Sequence, residues 1–248
     1  MPVESYAYST IPVRQVVFPA TIAETMATLS EFLRQSSWAR SLGPAEFSRA
    51  AAESIERSVP AGGSVCRKGE PVEHWVGVIE GLVKLSATTA EGKLTTLAGV
   101  TSGAWFGEGS MLKSEPRRYD ALALRDSRVA LMPRATFDWL LETNIAFNRF
   151  LLVQLNERLA HFIATVEYDR LLDPDARVAR CLASFFNPVL YPGVGPLLSI
   201  SQEEIGYLSG VSRQRVNQAL QVLEKAALLR VEYGGITILD LPGLRTFA

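Results

Sequence analysis

Ser199-Ile200-Ser201-Gln202-Glu203-Glu204-Ile205-Gly206-Tyr207-Leu208-Ser209-Gly210-Val211-Ser212-Arg213-Gln214-Arg215-Val216-Asn217-Gln218-Ala219-Leu220 reads as two short helices joined by a tight turn. Ser201, with Glu204 three residues later, is a capping box that starts the first helix. Gly210 sits at the turn, where a left-handed backbone is cheap for glycine, and Gly206 leaves room for the two helices to cross. Ser212 caps the second helix, and Val211, Val216, Leu220 and Leu223 give it a buried face. Arg213, Gln214, Arg215, Asn217 and Gln218 are left at its start and on its outer side. Arginine pairs in bidentate fashion with guanine O6 and N7, glutamine and asparagine pair with adenine, and a helix N-terminus favours phosphate. The pattern predicts a helix–turn–helix that reads the major groove through residues 212–218.

Outward toward the C-terminus, Leu229 to Leu239 alternates around Gly234-Gly235 as a hairpin, which makes the unit a winged helix. Upstream, Asn187 to Pro196 carries three prolines and two glycines and reads as a loop, preceded by a helix over 175–186. Asp173-Pro174 ends a longer helix, because the residue before proline is pushed out of the α region. That helix, over about 144–171, has Ile145, Asn148, Leu152, Leu155, Leu159, Phe162 and Val166 at spacings 3, 4, 3, 4, 3, 4. Such a heptad seam predicts self-pairing through Leu152, Leu155, Leu159, Phe162 and Val166, and Asn148 would help fix the register if it faces its partner. A homodimer would place two recognition helices about one DNA turn apart on an inverted-repeat operator.

Further upstream the character changes. Ser64–Arg67, Trp75–Ile79, Leu82–Ser86, Leu94–Val100, Tyr119–Leu124 and Val129–Met132 are short apolar runs punctuated by glycine turns, the pattern of a β jelly roll. Helical spacing over Thr21–Gln35 and from Ala45 to Ile55 precedes them, and a short helix opens at Pro133. The fold class expected is α+β: an N-terminal jelly roll, a long dimerisation helix and a C-terminal winged helix–turn–helix.

Composition narrows the functional classes. The 248 residues are 48% hydrophobic and 21% charged, which is globular, and no apolar run is long enough to span a bilayer. No secretory signal is visible in MPVESYAYST, so a cytoplasmic protein without membrane partners is the expectation. A net charge of −1 argues against a broadly basic nucleic-acid surface, and only the recognition helix supplies a local one. Two cysteines and two histidines exclude a four-cysteine cluster and a multi-histidine metal site. Cys66 falls in a strand and Cys181 in a helix core, while His161 flanks the seam. No set of residues with mutually supporting catalytic roles is present: Gly107-Glu108-Gly109-Ser110-Met111 is not a nucleophile elbow, and Glu91-Gly92-Lys93-Leu94 is not a phosphate loop. No catalytic residue and no metal ligand is expected.

Gly69-Glu70, Gly81, then Gly103-Ala104-Trp105-Phe106-Gly107-Glu108-Gly109-Ser110-Met111-Leu112, then Arg117-Arg118-Tyr119-Asp120-Ala121 resemble a cyclic-nucleotide-binding barrel. With the heptad helix and the winged helix behind it, the order resembles the Crp/Fnr superfamily of bacterial transcription regulators over about residues 30–241. Phe106-Gly107-Glu108 and Ser212-Arg213 are the most specific parts. The resemblance implies that backbone N–H groups at Gly107-Glu108-Gly109 hold a nucleotide phosphate, that Glu108 contacts the ribose, and that Arg118, ten residues on, contacts the phosphate. Three positions depart from the cAMP-responsive pattern. Tyr119 replaces a small hydroxyl residue, and Phe162 and Ile163 stand where Thr and Ser hydrogen-bond adenine. Arg117 beside Arg118 suits a larger or more charged anion such as a cyclic dinucleotide, or else a solvated turn paired with Asp120 or Glu115. The effector class implied is a cyclic nucleotide or cyclic dinucleotide, held by Gly107, Glu108, Gly109, Arg117, Arg118, Tyr119 and Phe162. RNA polymerase is an implied partner, and the Asn187–Pro196 loop matches in position the polymerase-contacting surface of some family members.

The expected organisation is an extension over 1–30, a sensor over 31–143, a dimerisation helix over 144–172 and a DNA-binding domain over 173–248. A nucleotide-sensing module without DNA function is the alternative reading. A haem-type regulator with His74 as axial ligand, or a redox or effector-independent regulator of the same fold, are others.

Overall fold

The computed structural model describes residues 28–89 and 91–248. Most of the expected 1–30 extension, and the first part of the helix expected over Thr21–Gln35, lie outside the described residues. A capping box between Thr28 and Glu31 starts α1 at Leu29, so this helix is Leu29–Gln35. A short 3-10 turn (Ser37–Ser41) leads to α2 (Pro44–Glu53).

The jelly roll is two four-stranded antiparallel sheets. One has the order β1-β8-β3-β6, from β1 (Ile55–Val59), β3 (His74–Glu80), β6 (Trp105–Phe106) and β8 (Ser127–Pro133). The other has the order β2-β7-β4-β5, from β2 (Ser64–Cys66), β4 (Leu82–Thr88), β5 (Leu94–Thr101) and β7 (Asp120–Ala123). The helix α3 (Glu108–Lys113) interrupts the strands after β6. Every strand expected from the glycine punctuation is present, with ends shifted by one or two residues. Ile55 belongs to β1 rather than to the helix before it, and β6 is only two residues long.

Strand β3 shows why the sheet needs helices outside it. Its residues alternate faces: Val76 and Val78 enter the barrel core, while Trp75 and Ile79 face outward. The outward residues are covered by α1, the 3-10 turn, α4 (Arg134–Thr143) and the start of α5 (Ile145–Leu171). Both faces are therefore buried, and the strand reads as a continuous apolar run rather than an alternating one. The outer layer is aromatic: Trp75 lies 4.4 Å from Trp105, Trp105 stacks on Phe32 at 5.4 Å, and Trp38, Phe137 and Phe147 close around them.

Asn144 caps α5 through the Phe147 amide. Within the protomer the Asn148 amide donates to the Leu141 and Asn144 carbonyls. After Asp173, which caps α6 (Pro174–Ser184), come β9 (Leu197–Leu198), α7 (Gln202–Ser209) and α8 (Arg213–Lys225). The wing strands β10 (Leu229–Glu232) and β11 (Gly235–Ile238) and the short α9 (Leu241–Thr246) complete the chain. Val216, Ala219, Leu220 and Leu223 of α8 pack on Val178, Ala179 and Leu182 of α6 in a core of their own.

Gly77 sits within the aromatic layer, where a Cβ would stand 2.7 Å from Trp105 and 2.8 Å from Phe32. Gly77→Ala should lower folding stability by about 1–3 kcal/mol through overpacking. Urea denaturation followed by near-ultraviolet dichroism measures it, and an unchanged midpoint would show that the stack relaxes without cost.

Candidate effector pocket and nucleic-acid interface

The turn after β6 carries the residues expected to hold an effector. Gly107 adopts φ 97°, and a Cβ there would lie 2.1 Å from the Arg117 Nη1, so the guanidinium lies directly against this glycine. Arg117 is only 4% exposed. Its Nη2 donates to the His74 carbonyl, while Nε and Nη1 are buried and have no hydrogen-bond acceptor. Glu108, 1% exposed, accepts from Arg158 Nε of α5 at 2.5 Å through Oε1, and its Oε2 is unpartnered. Arg158 also donates to the Trp105 carbonyl. Burial opposes the Arg158 charge, but Glu108 and the neighbouring phenols outweigh it and hold its pKa above the ordinary value. Burial, reinforced by Glu108, pushes the Tyr119 phenol up against the pull of Arg158 and Arg117, which places Tyr119 among the same charges.

The structure thus brings together Gly107, Glu108, Arg117 and Tyr119, and adds Arg158. Gly109 follows on α3, where a Cβ would meet nothing within 4 Å. Arg118 goes elsewhere. It is 69% exposed at the side chain and paired with Glu115 at 2.7 Å, the solvated pairing the sequence had offered as an alternative. Arg117 and Arg118 lie in the loop before β7, which turns the first side chain inward and the second out to solvent. The inward guanidinium is the one nine residues after Glu108, not ten. Phe162 lies one helical turn beyond Arg158, half on the outer face at 39% exposure.

His74 begins β3, and burial lowers its imidazole pKa. His161 is likewise lowered, by burial and then by Arg158. Burial raises Cys66, and raises Cys181 to about 12, so neither thiol is held as a thiolate.

On α5, Leu152, Leu159, Phe162, Ile163 and Val166 are exposed, and Leu155 is half-buried. The apolar stripe is therefore rotated toward Val153 and Ile163 relative to a strict seam through 148 and 155.

In the helix–turn–helix, Ser201 and Glu204 form the expected capping box, Gly210 adopts φ 67°, and a Cβ on Gly206 would meet the Val211 carbonyl at 2.9 Å. Ser212 accepts from the Arg215 amide as the N-cap of α8. Arg213, Gln214, Asn217 and Gln218 face solvent. Arg213 and Gln214 make no hydrogen bond or ion pair among the described residues. Arg215 is paired with Asp175 of α6 at 2.8 Å, and Asn217 accepts from Gln202 at 3.3 Å. Tyr233 at the wing tip is fully exposed. No helix among the described residues is long and apolar enough to cross a membrane.

Comparison with known proteins finds two families along the chain. Residues 56–144 match the cyclic nucleotide-binding domain family, and residues 157–247 match the Crp-like helix-turn-helix domain family. The transcriptional regulator SdrP of Thermus thermophilus is 30% identical over 180 residues, covering 72% of this chain and 85% of that protein. The cyclic AMP receptor protein of the same organism is 29% identical over 209 residues, covering 84% and 94%. The structure of FixK2 from Bradyrhizobium japonicum aligns with TM-score 0.66 at 21% identity over 77% of this chain and 95% of that one, a likeness of fold. The chain belongs to the Crp/Fnr superfamily of transcription regulators, with a cyclic-nucleotide-binding sensor followed by a helix–turn–helix DNA-binding domain.

Proposed function

We propose that this chain is a homodimeric, sequence-specific transcription regulator whose DNA affinity is set by a phosphodiester of the cyclic-nucleotide or cyclic-dinucleotide class. The observation that carries the effector reading is Arg117, buried against Gly107 with two unpartnered N–H groups. A buried donor without an acceptor is costly, and a phosphate oxygen at this point relieves it. Arg117 and Arg158 against Glu108 leave one positive charge in excess, which suits one phosphodiester. Glu108 keeps Oε2 for a ribose hydroxyl. Phe162 and Ile163 bring no hydrogen-bonding group to an adenine, so recognition of cAMP in the manner of the cAMP-responsive members is not supported.

The proposed division is a sensor over 31–143, a dimerisation helix over 144–172 and a DNA-binding domain over 173–248. Two such heads address an inverted-repeat operator, with Arg213 reading a base and Arg215 leaving Asp175 to hold a phosphate. DNA as partner places the action in the cytoplasm, and RNA polymerase is the proposed further partner. Signalling requires that the effector bind one arrangement of the heads better than the other.

Calorimetry with cyclic mono- and dinucleotides tests the pocket. One should bind clearly better than cAMP, Arg117→Met should weaken it by about tenfold or more, and Arg118→Ala should leave it nearly intact, since one charged hydrogen bond is worth about 1.5–3 kcal/mol. Binding unaffected by Arg117→Met refutes the assignment. Leu152→Lys with Leu159→Lys puts charge on two side chains that are exposed in the single protomer, so sedimentation should show folded monomers. Persisting dimers would place the interface elsewhere. Arg213→Ala should cost about 1–3 kcal/mol per half-site at one base pair, whereas loss of Arg215 should weaken all sequences alike. Site selection from random duplexes measures both, and a motif without two-fold symmetry would rule out the paired-head reading.

A further inference from the structure

The loop over 187–194 is pinned at its middle, with Pro188, Pro192 and Gly193 left exposed. Leu190 and Tyr191 are 2% and 4% exposed because they enter the core of the sensor barrel, in the same cluster as Val83, Val100, Ala104 and Phe106. The Tyr191 hydroxyl donates to the Gly99 carbonyl of β5 at 2.9 Å. Its ring lies 5.7 Å from that of Phe185, just past the end of α6. At the near end, Asn187 donates to Glu157 of α5 at 2.8 Å and accepts from the Val189 and Leu190 amides. At the far end, Gly193 packs on Gly103, where a Cβ would stand 3.0 Å away.

Two features make these contacts more than covering. Glu157 is the residue before Arg158, and Phe106, which shares a hydrophobic cluster with Leu190 and Tyr191, lies two positions before Glu108, so the loop meets both elements that supply the Glu108–Arg158 pair. Tyr191 is also within electrostatic reach of Arg158. On its other side the loop leads directly into β9 and α7, and a second contact accompanies it. Leu208 of α7 packs on Gly99, where a Cβ would be 3.0 Å away, and Arg125 of the barrel makes a bidentate pair with Glu204 of α7 at 2.8 Å.

We propose that residues 187–194 are an intramolecular strap through which the effector pocket and the DNA-binding head are coupled, with Tyr191 and Asn187 as positioning residues. A shift of Phe106 or Arg158 on effector binding moves the Tyr191 and Asn187 seats, and the strap passes the displacement to α7. A packed core transmits such a shift because it is dense rather than compliant. The inference rests on the effector reading of the pocket, and its test is arranged so that the two fail separately.

Coupling between two sites is reciprocal. If the pocket acts on the head, DNA bound to the head must act on the pocket, and no effector is needed to see it. The experiment is amide hydrogen exchange on the full-length protein, with and without an operator duplex selected from random DNA. In the wild type, DNA should alter exchange at 213–218 directly, and at 104–108 and 155–160 remotely. Asn187→Ala with Tyr191→Phe removes the hydrogen bonds to Glu157 and Gly99, and with them the Asn187 cap on the Val189 and Leu190 amides, while keeping the barrel filled. In this variant the remote change should fall by about fivefold or more with the direct one retained, and Tyr191→Ala should abolish it. A remote change equal to wild type in the double variant, or none in the wild type, overturns the strap. A wild type that binds no cyclic nucleotide refutes the effector reading and leaves this result standing, since DNA is the only ligand used.

Discussion

A carboxylate buried to the extent of Glu108 needs a partner, because an unpaired charge in the interior costs several kcal/mol, about 3–5 when a pair is broken by mutation. Its partner comes from a different element 50 residues away, Arg158. That requirement fixes the long helix against the barrel at one rotation. Once Arg158 faces inward, Leu151 and Gln154 are buried on the same side, and Leu152, Leu159 and Val166 are turned out. The stripe available for pairing is thus a consequence of an ion pair in the pocket as much as of the heptad pattern. It also explains why an expected polar seam residue, Asn148, is occupied with its own backbone.

The same pair sets the electrostatics of the sensor. Without Arg158, Glu108 would repel an incoming phosphate. With it, the Glu108 charge is matched, and the inward Arg117 keeps two buried N–H groups without an acceptor among the described residues. The arrangement is economical in residues but demanding in geometry, because each group belongs to a separate segment: the turn after β6, the loop before β7 and the middle of α5.

What the sequence made legible is what local chemistry dictates. Caps at Ser201 and Ser212, the left-handed Gly210 and the glycine-punctuated strands are read from neighbours within a few residues, and all are present. The features it hid depend on distant partners. Arg158 lies between Leu155 and Leu159 and looks like a solvated helix residue until Glu108 approaches it. Arg117 and Arg118 are indistinguishable in sequence, and the course of the loop before β7 decides which is buried against Gly107. Tyr191 sits in a proline- and glycine-rich loop, and its burial depends on Gly99, 92 residues earlier, offering a bare carbonyl. Strand β6, two residues long, has no period to detect.

The aromatic layer over β3 has an optical consequence. Trp105 contributes its carbonyl to Arg158 and its indole to a tilted contact with Trp75, centroids 4.4 Å apart and ring planes 34° apart, so the residue bonded to Arg158 is part of a coupled chromophore. Indoles at that separation mix their transitions, and the sign and size of the resulting dichroism depend on the angle between the rings. A tilt of the Trp105 backbone by a few degrees would therefore register in the near-ultraviolet spectrum of the unlabelled protein. The regulator carries an intrinsic gauge of the state of its own pocket.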